Sequence, residues 1–157
     1  MKFTLMLVGR TVDPALSALL QDYVQRVTHY APFTAEIIPD LRATRHLTQD
    51  QQRHEEGKQI LSRLLPNDHL ILLDEHGKMR TSTEFAAWMQ KQLNHSAKRT
   101  VFLIGGAYGF SPEIRQRANA SMSLSPMTFP HQLVRVIFAE QLYRAFTILH
   151  NQPYHHE

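Results

Sequence analysis

A chain of 157 residues, 43% hydrophobic and 20% charged, is long enough to bury one proper core and short for two. It holds no cysteine, which excludes disulfides, thiolate zinc sites and a cysteine nucleophile and fits a reducing compartment. Its 17 Lys and Arg against 14 Asp and Glu leave a formal charge of +3, with ten His near neutrality, a balance compatible with RNA without requiring it.

The apolar run after Lys2 stops at Val8 and passes into Gly9-Arg10, too short for a signal-peptide core and without a small-residue cleavage pattern. Nothing approaches the length of a membrane span, and a cytoplasmic protein is expected. Phe3 to Val8 reads as a strand, and Asp13-Pro14 as the N-cap and first residue of a helix with Leu16, Leu19, Leu20, Tyr23, Val24 and Val27 on its apolar face. Ala35 to Ile38 predicts a second strand, closed by Pro39. Leu41 to His54, the most polar stretch, carries Arg42, Arg45, His46, Arg53 and His54 and reads as loop entering a helix. Thr48 and Gln51 have the spacing of a capping box, and the helix runs through Ile60, Leu61, Leu64 and Leu65 to Pro66.

Leu70 to Leu73 is a continuous apolar run of the kind buried in a parallel sheet, and Asp74-Glu75-His76-Gly77 after it reads as loop. Thr81 and Glu84 form a second capping box ahead of Phe85, Trp88, Met89 and Leu93. Thr100 to Ile104 predicts a buried strand, Ser111-Pro112 a helix start, Ser121 to Leu124 the last strand and His131 to Leu149 the last helix. Strands alternating with helices predict an α/β fold over residues 1–157, with a mainly parallel sheet of about five strands and helices on both faces. No linker, repeat or low-complexity segment divides it.

In an open parallel sheet, ligands sit outside the carboxyl ends of the strands, where the strand-to-helix loops gather. Three such loops stand out, after Leu73, Ile104 and Leu124. Gly105, Gly106 and Gly109 let backbone approach a ligand or take positive φ, and Pro126 and Pro130 hold the third loop extended. Any one of these loops is equally readable as a simple turn; the grouping of three is the signal. A dinucleotide fold is the competitor, but G-x-G-x-x-G aligned on Gly106 and Gly109 requires glycine where Ile104 stands, and no acidic residue follows at ribose spacing. No Walker-type phosphate loop occurs either.

The last helix is apolar almost all round, with Val134, Phe138, Leu142, Ala145 and Leu149 in one stripe widened by Val136, Ile137 and Phe146. So few helices remain to cover it that a partner subunit is expected. Glu140 and Arg144 have the spacing of an ordinary ion pair, and Arg135, flanked by Leu133, Val134, Val136 and Ile137, needs an anionic or backbone partner if buried. The tail Asn151-Gln152-Pro153-Tyr154-His155-His156-Glu157 has the aperiodicity of a frayed end, yet it supplies a phenol and two imidazoles able to bond, stack on a base or move protons. No H-E-x-x-H pair is present, and no metal is expected.

The run Leu103-Ile104-Gly105-Gly106, the loop Ser123-Leu124-Ser125, Pro130-His131 with Leu133-Val134-Arg135-Val136, Glu140, Leu142-Tyr143-Arg144-Ala145 and Pro153-Tyr154-His155 closely resemble the SPOUT (α/β-knot) methyltransferases. The likeness covers the whole chain and is closest to the members that modify large-subunit ribosomal RNA. It implies a homodimer with a carboxyl-terminal trefoil knot, a rare exception to the rule against threading. It further implies methylation of N3 of a pseudouridine in helix 69 on the assembled ribosome, with S-adenosylmethionine as donor. The implied cofactor contacts fall at Leu73, at Gly105 and Gly106, and along Leu124, Ser125, Pro126, Met127, Thr128, Phe129 and Pro130, mostly through backbone. Ala107 and Tyr108 occupy positions where members vary and receive no role.

For such a displacement, alignment of the base nitrogen with the methyl group supplies most of the acceleration, and the N3 proton must be managed. His155 is the best general-base candidate by chemistry, with Tyr154 orienting or stacking on the ring; alternatively Arg144 stabilises the negative charge that develops there. His131 is a weaker candidate, structural or near the cofactor. With no separate RNA-binding segment, the RNA footprint is expected on the dimer surface, including Arg10, Arg42, Arg45, Arg53 and Arg135. Two other classes remain open: a ribosome-binding factor without turnover, and a nucleotide-binding oxidoreductase.

Overall fold

The computed structural model describes residues 1–157. In chain order the elements are β1 (Lys2–Val8), α1 (Pro14–Thr28), β2 (Phe33–Ile38), a 3-10 turn (Thr44–His46), α2 (Gln49–Arg63), β3 (His69–Met79), α3 (Ser82–Leu93), β4 (Arg99–Ile104), α4 (Pro112–Arg117), β5 (Ala120–Ser123) and α5 (His131–Leu149). All five strands are parallel in the order β2-β1-β4-β3-β5. No helix is long and apolar enough to cross a membrane.

Strand alternation divides the core between the two faces of the sheet. Phe3, Leu5 and Leu7 of β1 point with Phe102 and Ile104 of β4 toward α1, α3 and α5, while Met6, Val8, Val101 and Leu103 point toward α2 and α4. Helix α5 lies between α1 and α3 over the middle of the sheet, with the Phe138 ring 4.8 Å from Phe102 and the Phe146 ring 6.0 Å from Phe3. Its apolar width is therefore used largely inside the chain, by two helices and the sheet, and does not by itself demand a partner subunit.

The helix starts follow their local chemistry. Asp13 accepts the Ala15 N–H at 2.8 Å and the Leu16 N–H at 3.2 Å, satisfying amides that α1 leaves free. Both capping boxes, Thr48 with Gln51 and Thr81 with Glu84, are complete. Helix α2 ends at Arg63, before the expected Pro66: Leu64 is already extended, and Leu65 precedes a proline that disfavours helical backbone there.

The main departure is β3. Its expected end at Leu73 is overturned, because the strand continues to Met79. Leu73 and Lys78 both pair with Met122 of β5, so residues 74–77 stand out as a bulge before the ladder resumes. Asp74 folds that bulge by accepting the His76 N–H at 3.0 Å, a side-chain turn that a reading based on apolar runs passes over. From the sheet edge at β5, residues 124–130 return across the carboxyl ends of the strands to reach α5.

Candidate functional site

A cavity of about 520 Å³ opens at the carboxyl edge of the sheet. Three segments wall it: Leu73 with the first part of the β3 bulge (74–76), the loop after β4 (107–110) and residues 122–129, from the end of β5 onward, apart from 126. Val134 of α5, Arg115 of α4 and Gln49 and Arg53 of α2 complete it. These are the strand ends singled out from sequence, and their grouping follows from parallel strands sharing one carboxyl edge.

Of the expected cofactor residues, Leu73, Leu124, Ser125, Met127, Thr128 and Phe129 line the cavity, whereas Gly105, Gly106, Pro126 and Pro130 do not. Gly105 lies against the Phe110 ring, and the Gly106 N–H is held from behind by Glu56 at 3.1 Å. Of the three loop glycines only Gly109 takes positive φ. Asp74, Glu75, His76, Ala107, Tyr108, Phe110 and Arg115 line the cavity without having been singled out. The signal for Asp74 to His76 was their place directly after Leu73; Ala107 and Tyr108 were set aside for variable side chains, although a loop contributes backbone regardless of side chain.

The bulge carries the site's buried charge. The Asp74 side chain is 7% exposed and pairs with the Arg115 guanidinium. Burial pushes its pKa up, but the His76 N–H and Arg115 outweigh that and hold the carboxyl below its usual range, so it is ionised. Thr128 Oγ1 donates to Glu75 Oε2 at 3.4 Å, tying the third loop to the bulge, and Ser125 Oγ accepts the Met127 N–H at 3.0 Å. Arg53 pairs with Asp50 and donates to the Tyr108 carbonyl at 3.1 Å.

A second polar cluster forms where the tail folds back on α5. Glu140 pairs with Arg144 and accepts the Tyr154 hydroxyl at 3.0 Å. The Arg144 guanidinium stands 4.9 Å from the Tyr154 ring centre, and its Nη1 lies 3.2 Å from His155 Nδ1. Burial, then hydrogen bonding with Tyr23 and Glu140, raises the Tyr154 pKa well above that of a free phenol. The tail is thus packed: Gln152 donates its N–H to the Thr147 carbonyl at 2.9 Å.

A guanidinium has donors only, so His155 Nδ1 accepts from Arg144 and the imidazole proton sits on Nε2. In this arrangement His155 presents no lone pair to a substrate, because Nδ1 is engaged and Nε2 is buried without a hydrogen-bond partner. Val134 at the cavity and Arg144 in the cluster are separated by about 15 Å of helix, at roughly 1.5 Å per residue. One chain therefore does not bring Arg144, Tyr154 and His155 to the cavity.

Arg135 requires a correction. It is fully buried, with Nη1 donating to the Gly9 carbonyl at 2.9 Å and to Thr11 Oγ1 at 3.0 Å, and Nη2 to the Val8 carbonyl at 2.6 Å. Burial lowers its pKa, and Asp40 opposes that shift. The side chain closes the end of β1 and is withdrawn from any RNA surface. Arg10, Arg42 and Arg45 are exposed on the loops after β1 and β2, and His131 is exposed at the first residue of α5.

A family model described as "Predicted SPOUT methyltransferase" matches residues 1–155. The chain is 53% identical over 157 residues to a Phocaeicola vulgatus protein named Ribosomal RNA large subunit methyltransferase H, covering 100% of both. Proteins of the same name from Bacteroides fragilis and Christiangramia forsetii are each 50% identical, over 100% and 99% of both chains respectively.

Proposed function

The chain belongs to the SPOUT methyltransferase family, and on that premise we propose that it methylates large-subunit ribosomal RNA with S-adenosylmethionine, at N3 of a pseudouridine in helix 69 on the assembled ribosome. The observation that carries this reading is the convergence of the β3, β4 and β5 ends on one cavity. Its volume lies in the range of small-molecule sites. Leu73, Phe110, Leu124, Phe129 and Val134 supply apolar wall for an adenine ring, Asp74 and Glu75 supply negative charge for a sulfonium or ammonium, and Arg115 supplies a cation for a carboxylate.

S-adenosylmethionine supplies a methyl group activated by a positively charged sulfur leaving group. The chain's own part is positioning and electrostatics. The loops after β3, β4 and β5 would exclude water and orient the donor, and the ionised Asp74 would offer negative charge to its cationic part. Arg144 stabilises the charge that develops on the uracil ring as the N3 proton passes to solvent water, and Glu140 and His155 hold Arg144 in place. Tyr154 lends a ring face next to that cation.

The separation of the cavity from the tail along α5 supports a homodimer, in which a second copy can bring a tail to each cavity. The return of residues 124–130 across the sheet edge supports a trefoil knot around the cofactor. Exposed Arg10, Arg42 and Arg45 rise from the same sheet edge as the cavity and supply cations for RNA phosphates. A ribosomal substrate supports a cytoplasmic location. The reading is tested by incubating the protein with labelled S-adenosylmethionine and pseudouridine-containing or unmodified ribosomes and mapping the label. Methyl at N3 of a helix 69 pseudouridine is expected, and ribosomes left unlabelled would overturn it.

A further inference from the structure

Helix α2 touches the loop after β4 at three points within little more than one turn. Arg53 donates to the Tyr108 carbonyl at 3.1 Å, and Glu56 Oε1 accepts the Gly106 N–H at 3.1 Å. Gly57 lies so close to Ser111 that a Cβ there would stand 2.6 Å from the hydroxyl, and Ser111 in turn caps α4 by accepting the Ile114 N–H. Residues 53, 56 and 57 share one helix face by their spacing, and the stretch they bracket, 107–110, is cavity wall.

Glu56 itself does not line the cavity. Its carboxylate stands behind the wall, on an amide just beyond the end of β4, where the strand ladder no longer supplies an acceptor. A Cβ at Gly106 would lie 2.6 Å from Glu56 Oε2, so glycine at 106 is what lets the carboxylate reach the amide. The burial is costly for an acid: desolvation raises the Glu56 pKa, the Gly106 N–H opposes it, and the charge of Asp40 adds to the rise. A carboxylate kept under that load has one backbone partner, and the partner belongs to the loop that shapes the site.

We propose that Glu56, from behind, and Arg53, from the cavity wall, are positioning residues that hold the 105–110 loop in its ligand-binding shape, so that cofactor affinity is set by α2. This rests on the reading of the cavity as a cofactor site. It also reassigns Arg53, which the sequence placed in the RNA footprint, to the wall of the pocket.

The test compares the full-length wild type with Glu56→Ala, Glu56→Gln and Arg53→Ala, by amide exchange at residues 105–110 and calorimetric titration with S-adenosylhomocysteine. Glu56→Ala is expected to speed exchange of the Gly106 amide and to weaken ligand binding, each about tenfold, while the KM for ribosomes is unchanged. Glu56→Gln, whose amide oxygen accepts the same N–H, is expected to restore both. Should Glu56→Ala fail to fold, Arg53→Ala, at a side chain 30% exposed, is expected to weaken binding and to speed exchange at residues 105–110 in the unliganded protein, which loss of a ligand contact alone would not do. Wild-type affinity in both alanine variants, or no restoration by glutamine, overturns the proposal. A wild type that takes no S-adenosylhomocysteine overturns the cofactor reading instead, and the exchange rates then decide alone whether α2 holds the loop.

Discussion

Arg144 and His155 are 11 residues apart in sequence, and their side chains meet at 3.2 Å, guanidinium Nη1 against imidazole Nδ1. The contact anchors the tail to α5 and dictates the imidazole's tautomer, because arginine cannot accept a hydrogen bond. A tail that is aperiodic in sequence is thereby a fixed part of the molecule.

Replacing His155 by alanine should leave S-adenosylmethionine affinity unchanged and lower turnover about a hundredfold or more, the scale on which loss of a charge-stabilising arrangement acts. Nitrogen chemical shifts of the neutral wild-type imidazole should show the proton on Nε2 and none on Nδ1. A protonated Nδ1, or full turnover in the variant, would sink the assignment.

Asp74→Asn removes the ionised carboxylate at the cavity while keeping its shape. The variant should bind S-adenosylmethionine about tenfold more weakly while binding S-adenosylhomocysteine, whose thioether sulfur is neutral, almost as before. Equal losses for both ligands would show that Asp74 shapes the site without reading charge.

Arg135→Ala leaves the Val8 and Gly9 carbonyls without their buried donor. The expected cost is roughly 3 kcal/mol, or about 6–12 °C in Tm for a chain of this size. The salt dependence of ribosome binding should keep its slope. By contrast, an Arg42 and Arg45 double replacement should flatten it by about two counterions' worth. Thermal melts and binding at several salt concentrations separate the two effects.

At the opposite edge of the sheet, Asp68 pairs with Arg99 and accepts the Leu65 N–H at 2.7 Å. Burial pushes its pKa up, but the bonds from Arg99 and Leu65 and the charges of Arg99 and Arg117 pull it net below the carboxylate norm. A folded-state pKa below the unfolded one gives stability that is present above the unfolded value and lost as pH falls through the folded one. Wild type should therefore exceed Asp68→Asn by roughly 3 kcal/mol near neutrality. The gap should close progressively below about pH 4. A gap that stays constant in acid would refute the linkage.

Periodicity and capping chemistry made most of the fold legible, because those signals are local: α5 runs over His131–Leu149 as its apolar pattern predicts, and Thr48 and Thr81 mark their helix starts. The β3 bulge was not legible, since its pairing with Met122 is decided by a strand far along the chain. The cavity's location followed from the parallel sheet, but its chemistry did not follow from the glycines. Gly105 and Gly106 are occupied by Phe110 and Glu56, and the charge comes from Asp74 and Arg115 on either side. Arg135 shows the limit most clearly: its apolar neighbours announced burial, yet only the ends of β1 could say which carbonyls it would find.

Helix α5 contributes Val134 to the cavity at one end and Arg144 to the tail cluster at the other, which makes it a ruler as well as a packing element. Adding one residue between those points would advance the cluster by about 1.5 Å and rotate it by about 100°. Any change of its length therefore turns Arg144 and the tail bound to it away from the direction in which they now face. A library of single-residue insertions across the chain should show 135–143 as a stretch in which length is under constraint as well as identity.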